Sequence, residues 1–260
     1  MNALEIRNLT VSYGNSPVLE DLSLEIPEGS FVSLVGPSGC GKSTLLRTIA
    51  GLLSPMEGEI YLFGRAVNGP SPDVGFLFQE DALLPWRTVA ENVALGLRFR
   101  GLPNEYVART VEEWLRRVGL LAFRDSYPHE LSGGMKKRAS LAQVLAPRPR
   151  ILLMDEPFAS LDAIVRNILE ADFLNLVREE GLTALLVTHD LEEAIVLSEQ
   201  VALMSAGPSA RIRRIYKVPF PYPRDLVQVK GDPAFGRLLQ QIWSDLQEEV
   251  SRMGWEVVRH

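Results

Sequence analysis

One glycine-rich stretch constrains the fold of this chain more than any other feature. Residues 36–43 read Gly-Pro-Ser-Gly-Cys-Gly-Lys-Ser and fit the pattern G-x-x-x-x-G-K-[ST]. They follow a short apolar segment, Phe31–Val35, and precede an apolar pattern of helical period over residues 43–50, which Gly51 ends. The sequence therefore predicts a buried strand, a tight loop and a helix in direct succession.

This loop has the properties of a phosphate-binding cradle. Glycines allow backbone N–H groups to point inward as an anion nest, and the start of the following helix adds partial positive charge. Lys42 can reach terminal phosphates, and the Ser43 hydroxyl can ligate Mg²⁺. A glycine-rich turn without a ligand is the alternative, which the strand and helix context disfavours. We predict a nucleoside triphosphate site formed by Gly36, Pro37, Ser38, Gly39, Cys40, Gly41, Lys42, Ser43 and Thr44.

A second apolar segment ends in two acidic residues, Asp155 and Glu156. A strand that ends in a carboxylate beside the cradle would supply a metal ligand, so we predict that Asp155 holds Mg²⁺ through water. Glu156 is then placed to polarise the attacking water. Acids at strand ends also serve in turns, and the cradle favours the metal role for Asp155.

The order of the remaining segments predicts an α/β fold with a mainly parallel sheet. Residues 1–30 alternate apolar and polar side chains, which predicts an antiparallel β portion at the N-terminus. Strand-sized apolar runs at 151–154 and 183–187 flank an amphipathic helix over 163–180, the alternation of a parallel sheet. We predict a core split between residues 1–80 and 148–218, an inserted helical lobe at 81–147, and a C-terminal extension at 219–260.

The composition excludes several classes of protein. Hydrophobic residues at 46% and charged residues at 23% exclude a disordered chain. The net charge of −6 provides no global attraction to nucleic acid, so we expect no nucleic-acid partner, and a bound anion must be held locally. Cys40 is the single cysteine, the N-terminus lacks a secretory pattern, and no apolar run approaches the roughly 18 residues that span a bilayer. We expect a cytosolic chain that does not cross a membrane alone.

A third motif resembles that of one family. Residues Leu131-Ser132-Gly133-Gly134-Met135 are similar to the signature of ABC-type ATPases. Other positions of the family's motifs are occupied, in the same order, by Tyr13, Gln79, Asp162 and His189. The resemblance covers residues 4–214 and implies a P-loop ATPase core. The catalytic residues it implies are Lys42, Gln79, Glu156 and His189.

The resemblance also implies how these residues bind ATP and Mg²⁺. Tyr13 would stack on adenine, Gln79 would contact Mg²⁺ and the attacking water, and His189 would hydrogen-bond the γ-phosphate. Residues 132–134 would bind the γ-phosphate held by a second copy of the chain, and Asp162 would join the copies. The family's working unit is therefore a head-to-tail dimer with two ATP molecules between the subunits.

Several of these residues also have plain structural interpretations. Tyr13 could pack in a β-turn, with adenine contacted by Val11 or Val18 instead. Gln79 could be an ordinary solvated side chain, and Thr188-His189-Asp190 could be a helix cap. Order and spacing favour the functional roles of Gln79 and His189.

Three segments narrow the resemblance to importer ATPases for nitrate, alkanesulfonates and taurine. They are residues 83–93, 131–138 and 156–162. Met135 stands where the family's signature usually has Gln, a departure that this subgroup shares, and Gln143 replaces the usual Arg. The subgroup also includes importers for pyrimidine precursors of thiamine, so the solute stays open.

The subgroup implies membrane partners. An ATPase of this type sits peripherally on the cytoplasmic face of the inner membrane, beneath multispanning permease subunits, and is linked indirectly to a solute-binding protein. Leu84-Pro85-Trp86 would form the floor of the groove for the permease, and packing of Trp86 within the lobe is the alternative.

Two other functions would use the same cradle. A soluble, non-transport ABC-type ATPase acting on ribosomes or DNA would carry two cassettes or a long coiled-coil insertion. A small-molecule kinase would not account for residues 131–134 or His189.

Because Cys40 lies in the cradle, we also expect thiol alkylation to block hydrolysis and MgATP to protect.

Overall fold

The computed structural model describes residues 1–14, 16–159 and 161–252 of the chain. The strands, in chain order, are β1 (Asn2–Tyr13), β2 (Ser16–Pro27), β3 (Phe31–Val35), β4 (Glu57–Leu62), β5 (Arg65–Ala66), β6 (Val74–Leu77), β7 (Ile151–Asp155), β8 (Thr183–Val187), β9 (Gln200–Met204) and β10 (Ile212–Lys217). The α-helices are α1 (Lys42–Ile49), α2 (Val89–Phe99), α3 (Asn104–Arg117), α4 (Gly133–Leu145), α5 (Ala163–Glu179), α6 (Leu191–Leu197), α7 (Leu226–Gly231) and α8 (Pro233–Arg252).

The strands form two sheets. A four-stranded sheet has the order β2-β1-β4-β5, and its β1–β2 hairpin is antiparallel, with Leu4 opposite Ile26 and Ile6 opposite Leu24. A six-stranded sheet has the order β10-β9-β3-β8-β7-β6, and all its pairs are parallel except the edge pair β9–β10. The predicted α/β fold, with a mainly parallel sheet and an antiparallel N-terminal portion, is confirmed.

The central strands are buried on both faces, which explains their continuous apolar sequence. In β3, Val32 and Leu34 belong to a core shared with the four-stranded sheet, while Phe31 and Val35 belong to a second core on the opposite face. Helices α2 to α6 cover this second face. Because neighbouring strands run parallel, the carboxyl ends of β3, β6, β7 and β8 lie at one edge of the sheet.

The helical segment between β6 and β7 begins at a capping box. Thr88 Oγ1 accepts a hydrogen bond from Glu91 N at 3.2 Å, and Glu91 Oε2 accepts one from Thr88 N at 2.9 Å. The apolar faces of α2, α3 and α4 belong to the same core as one face of the six-stranded sheet. The helices are found where residues 81–147 predict them, and the boundaries of the lobe stay a prediction.

The C-terminal segment packs back onto the core. Tyr222 Oη donates to Leu197 O at 2.5 Å, and helix α8 buries Phe235, Leu238 and Ile242. Within the described ranges, no helix combines the length and the apolar character needed to cross a bilayer. His260, which the sequence places in no site, lies outside the described residues.

Candidate active site

The predicted cradle lies between the end of β3 and the start of α1. Gly41 caps α1 with a φ of +100°, and a Cβ there would lie 2.7 Å from Val18 Cγ1. A Cβ on Gly36 would lie 3.0 Å from Met204 Cβ. Both positions therefore require glycine, for backbone conformation at the first and for space at both.

Lys42 places a buried cation at the base of this cradle. The side chain is 8% exposed, and its Nζ donates to Gly36 O at 2.8 Å and Pro37 O at 2.9 Å. Across the described ranges, no carboxylate lies within ion-pair distance of Lys42 Nζ. A buried charge held only by carbonyl dipoles favours an anionic ligand beside it.

Ser43 and Asp155 meet beside the cradle as the sequence predicts. Ser43 Oγ donates to Asp155 Oδ1 at 3.1 Å, and Asp155 is the last residue of β7. Burial raises the pKa of Asp155 above its ordinary value, although the Ser43 hydrogen bond opposes this. A hydroxyl and a carboxylate are oxygen ligands of the kind that Mg²⁺ prefers.

These two oxygens would provide only part of a metal's coordination. Among the described residues, no group of three or more His, Cys, Asp or Glu side chains is placed to hold a metal ion. Mg²⁺ commonly uses one or two protein oxygens and completes its shell with water and substrate phosphate. The pair therefore fits Mg²⁺ bound together with a phosphate ligand.

Glu156 and His189 converge from adjacent strands. His189 Nδ1 lies 3.0 Å from Glu156 Oε2, and Glu156 N donates to Val187 O at 2.9 Å. Glu156 has a φ of +47°, a conformation that costs a non-glycine residue roughly 1–2 kcal/mol. Such backbone strain is concentrated at functional sites.

The helix-cap interpretation of residues 188–190 also holds. Asp190 Oδ1 accepts hydrogen bonds from Glu192 N at 2.9 Å and Glu193 N at 3.2 Å and so caps α6. Because Asp190 performs this task, His189 is available to Glu156 and is 63% exposed. One turn thus supplies both a helix cap and a candidate catalytic residue.

Tyr13 and Gln79 both reach solvent. Tyr13 is 51% exposed at the end of β1, which disfavours the packing interpretation. Gln79 follows β6, and its backbone carbonyl oxygen accepts a hydrogen bond from Lys137 Nζ at 3.4 Å. Lys137 is 1% exposed and forms an ion pair with Asp81 at 3.0 Å.

Lys137 was not predicted from the sequence. It lies on α4, on the same buried face as Ser140 and Leu141. This helical spacing is the sequence feature that could have indicated its burial. By contacting the backbone of Gln79 and the side chain of Asp81, Lys137 joins helix α4 to the segment that carries Gln79.

The signature residues begin helix α4. Ser132 caps it by accepting from Met135 N at 3.4 Å, and a Cβ on Gly134 would lie 3.0 Å from Val165 Cγ1 of α5. In the described part of the chain, no hydrogen bond links residues 132–134 to the cradle at 36–44. Ser132 and Gly133 are exposed, so the start of this helix is accessible to an anion from outside the chain.

Asp162 caps helix α5. Its Oδ1 accepts from Ile164 N at 3.2 Å and Val165 N at 3.0 Å. Its role in joining two copies stays a prediction, and Ser160, which precedes it in the motif, lies outside the described residues.

The side chain of Cys40 is buried behind the cradle. Its side chain is 1% exposed and belongs to the core between the two sheets, and burial raises the pKa of its thiol. The residue can offer its backbone to a phosphate while the sulfur points into the core. Burial and the raised pKa should slow alkylation of this thiol in the folded chain, because thiolate is the reactive form. The block of hydrolysis by alkylation, and protection by MgATP, stay predictions.

Trp86 stands on an ordered loop. Asn92 is fully buried and orders the loop, accepting from Leu84 N at 2.7 Å and donating to Arg87 O at 3.1 Å. Trp86 itself is 71% exposed, which disfavours the alternative that it packs within the lobe. Asn92 is a further residue that the sequence reasoning missed.

The site combines a glycine-rich cradle that holds a buried lysine, a serine–aspartate pair, and a glutamate beside a histidine. This combination defines a P-loop nucleoside triphosphatase. The ABC transporter family model matches residues 19–159. The chain belongs to this family.

Relatives of known name include three import proteins. The chain is 46% identical over 241 residues to the nitrate import ATP-binding protein NrtC of Synechococcus elongatus, matching 91% of this chain and 36% of that protein. It is 40% identical to the taurine import protein TauB of Roseobacter denitrificans, over 96% of this chain and 97% of that one. It is 46% identical to the aliphatic sulfonates import protein SsuB of Bacillus cereus, over 88% and 89% of the two chains. The resemblance to this subgroup is confirmed, and the chain spans about a third of NrtC.

A solved structure shares the fold. It is the dimeric, post-hydrolysis state of the ATP-binding cassette MJ0796 bound to ADP and Pi. The match has a TM-score of 0.72 and 32% identity and covers 84% of this chain and all of that one.

Proposed function

We propose that this chain is the ATP-hydrolysing, energy-coupling subunit of an ABC-type importer. One observation carries the proposal: a single sheet edge holds the Lys42 cradle, the Ser43–Asp155 pair and the Glu156–His189 pair. These are the groups needed to bind a triphosphate, to hold its metal and to activate water.

We assign the following roles to the residues of this site. Glu156 acts as general base toward a water molecule, and His189 orients its carboxylate and hydrogen-bonds the γ-phosphate. Lys42 binds the terminal phosphates, and Tyr13 offers an exposed ring to adenine. Ser43, Asp155 and Gln79 would hold Mg²⁺, and the bound ion would neutralise phosphate charge.

A second copy completes each site. The helix start at residues 132–134 is exposed and makes no hydrogen bond to its own cradle, which supports binding of the γ-phosphate of a partner. The dimeric state of the related MJ0796 cassette supports the same arrangement. Asp162, at the adjacent start of α5, would lie near the junction of the copies.

The coupling surface is Leu84-Pro85-Trp86, which would receive a multispanning permease at the cytoplasmic face of the membrane. Its exposed indole and its rigid support by Asn92 favour an interface. The import functions in the names of the relatives make nitrate, taurine or another small sulfonate the proposed solute, delivered by a solute-binding protein. The alternative of a soluble, non-transport ATPase has no such support.

Phosphate release from MgATP tests the proposal. The full chain should hydrolyse ATP, and Lys42→Ala should lower kcat/KM at least about a hundredfold, since the terminal phosphates lose their cation. Lys217→Ala, a change in an exposed lysine at the end of edge strand β10, is the control. Turnover that persists in Lys42→Ala would rule out the role of the cradle.

A further inference from the structure

The loop between β9 and β10, residues 205–211, lies close behind the cradle. A Cβ on Gly207 would lie 3.6 Å from both Cys40 Cα and Gly39 O. Just before the loop, Met204 lies against Gly36, whose added Cβ would come 3.2 Å from Met204 O. The loop and the end of β9 together support the phosphate-binding backbone at Gly36, Gly39 and Cys40.

The same loop also pairs with β2, the strand that follows Tyr13. Ala210 N donates to Val18 O at 3.0 Å, and Glu20 N donates to Ala210 O at 3.2 Å. Val18 in turn lies against Gly41, at the start of α1. A shift of the loop would thus move both the cradle and the strand on the adenine side.

Glu249 of helix α8 holds this loop in place. It is 1% exposed, and its Oε2 accepts from Ala206 N at 2.7 Å. Its Oε1 accepts from Arg213 Nη1 at 2.6 Å and from Arg252 Nη1 at 2.7 Å. Both carboxylate oxygens are therefore satisfied by the loop's backbone and by two guanidinium groups.

We propose that Glu249 is a positioning residue of the nucleotide site, acting through residues 205–211. In this role it contacts the loop and two arginines, and it acts by fixing the backbone on which the cradle rests. A buried donor or acceptor that loses its partner is costly, so removal of this carboxylate should let the loop move. This role accounts for the C-terminal helix and rests on the ATP-hydrolysing function proposed above.

The test compares MgADP affinity in the full chain by calorimetry, together with KM and kcat for ATP. Glu249→Ala should weaken MgADP binding and raise KM about three- to tenfold, with kcat within about twofold. A merely destabilised protein would lose active molecules and so lower apparent kcat at unchanged KM. Glu248→Ala is the matched control, because Glu248 is 58% exposed and also binds Arg213.

Glu249→Gln gives a second, milder variant. It keeps an acceptor for Ala206 N but loses the charge toward both arginines, and we expect an effect on affinity of about twofold. Hydrogen exchange should be faster at Ala206 and in residues 36–42 in both variants. If Glu249→Ala does not fold, the same measurements of MgADP affinity, KM and hydrogen exchange on Glu249→Gln test the positioning role.

Unchanged MgADP affinity and unchanged exchange in a folded Glu249 variant would overturn the positioning role. That outcome would leave the proposed function intact. A wild-type chain that neither binds MgADP nor hydrolyses ATP would instead defeat the proposed function, together with the inference that rests on it.

Discussion

Glu156 and His189 face each other across adjacent parallel strands, with Oε2 and Nδ1 3.0 Å apart. The candidate base, Glu156, follows β7, and the candidate orienting residue, His189, follows the neighbouring strand β8. The register of the two strands is fixed by the pairing of Asp155 with Val187, and both candidate residues follow closely after these strand ends. A rigid support of this kind preorganises a catalytic pair.

The first prediction concerns His189. Replacing it with Ala should lower kcat about a hundredfold, because Glu156 and the γ-phosphate lose a hydrogen-bonding partner, with a smaller effect on KM. Steady-state phosphate release measures both constants. His129→Ala should match the wild type, since His129 is exposed and stacks on Tyr127. A kcat for His189→Ala within about twofold of wild type would contradict the role.

The second prediction concerns the thiol of Cys40, the only cysteine in the chain. Because the side chain is buried and its pKa is raised, a thiol reagent at pH 8 should label the native protein at least about tenfold more slowly than the guanidinium-unfolded protein. Absorbance of the released chromophore follows the reaction. Equal rates in the two states would show that the sulfur is accessible.

The third prediction concerns pH and Glu193. Burial raises the pKa of Glu193 to about 8, partly opposed by a hydrogen bond from Thr188, while Glu170, Asp190 and Arg166 contribute their charges. The folded state therefore binds more protons than the unfolded state, whose glutamate has the ordinary value of 4.5. Stability contributed by protonated Glu193 is present at low pH and is lost as pH rises toward 8.

Glu193→Gln should remove this dependence. Relative to wild type, the variant should gain on the order of 1 to 2 kcal/mol of unfolding free energy on going from pH 6 to pH 8, measured by urea denaturation. Glu192→Gln, at the neighbouring and half-exposed position, is the control. Equal pH profiles for Glu193→Gln and wild type would contradict the prediction.

The fourth prediction concerns the coupling surface. Trp86→Glu should abolish co-purification with a multispanning membrane protein while leaving basal ATP hydrolysis within about twofold, because a buried interface tryptophan often contributes 2 kcal/mol or more. Phe99→Glu, which changes an 87% exposed aromatic residue at the end of α2, is the control. Retention of the partner by Trp86→Glu would place the permease elsewhere.

Sequence patterns predicted the elements and motifs well because these depend on local periodicity and on turn chemistry. The strand before the cradle, the helix after it and the acids at the end of β7 all lie where the sequence places them. Contacts between distant segments that lie outside these motifs were not predictable. Lys137 beneath Gln79 and Glu249 beneath Ala206 are charged residues whose burial depends on tertiary packing.

Cys40 likewise shows that side-chain direction depends on tertiary packing. The motif indicates that its backbone lines the cradle, but only the fold decides that its sulfur points into the core between the sheets. At residues 188–190 the sequence offered a structural and a functional interpretation as alternatives. In the structure the two coexist in one turn, because Asp190 caps α6 while His189 contacts Glu156.

The most direct test of the central claim is the oligomeric state of Glu156→Gln with saturating MgATP, measured by size exclusion with light scattering. The substitution removes the base but keeps the shape of the side chain, so ATP should persist between two copies. We predict twice the monomer mass with MgATP and a monomer without nucleotide, and that Glu156→Gln combined with Ser132→Arg stays monomeric. A Glu156→Gln protein that remains monomeric in saturating MgATP would contradict the head-to-tail ATP sandwich.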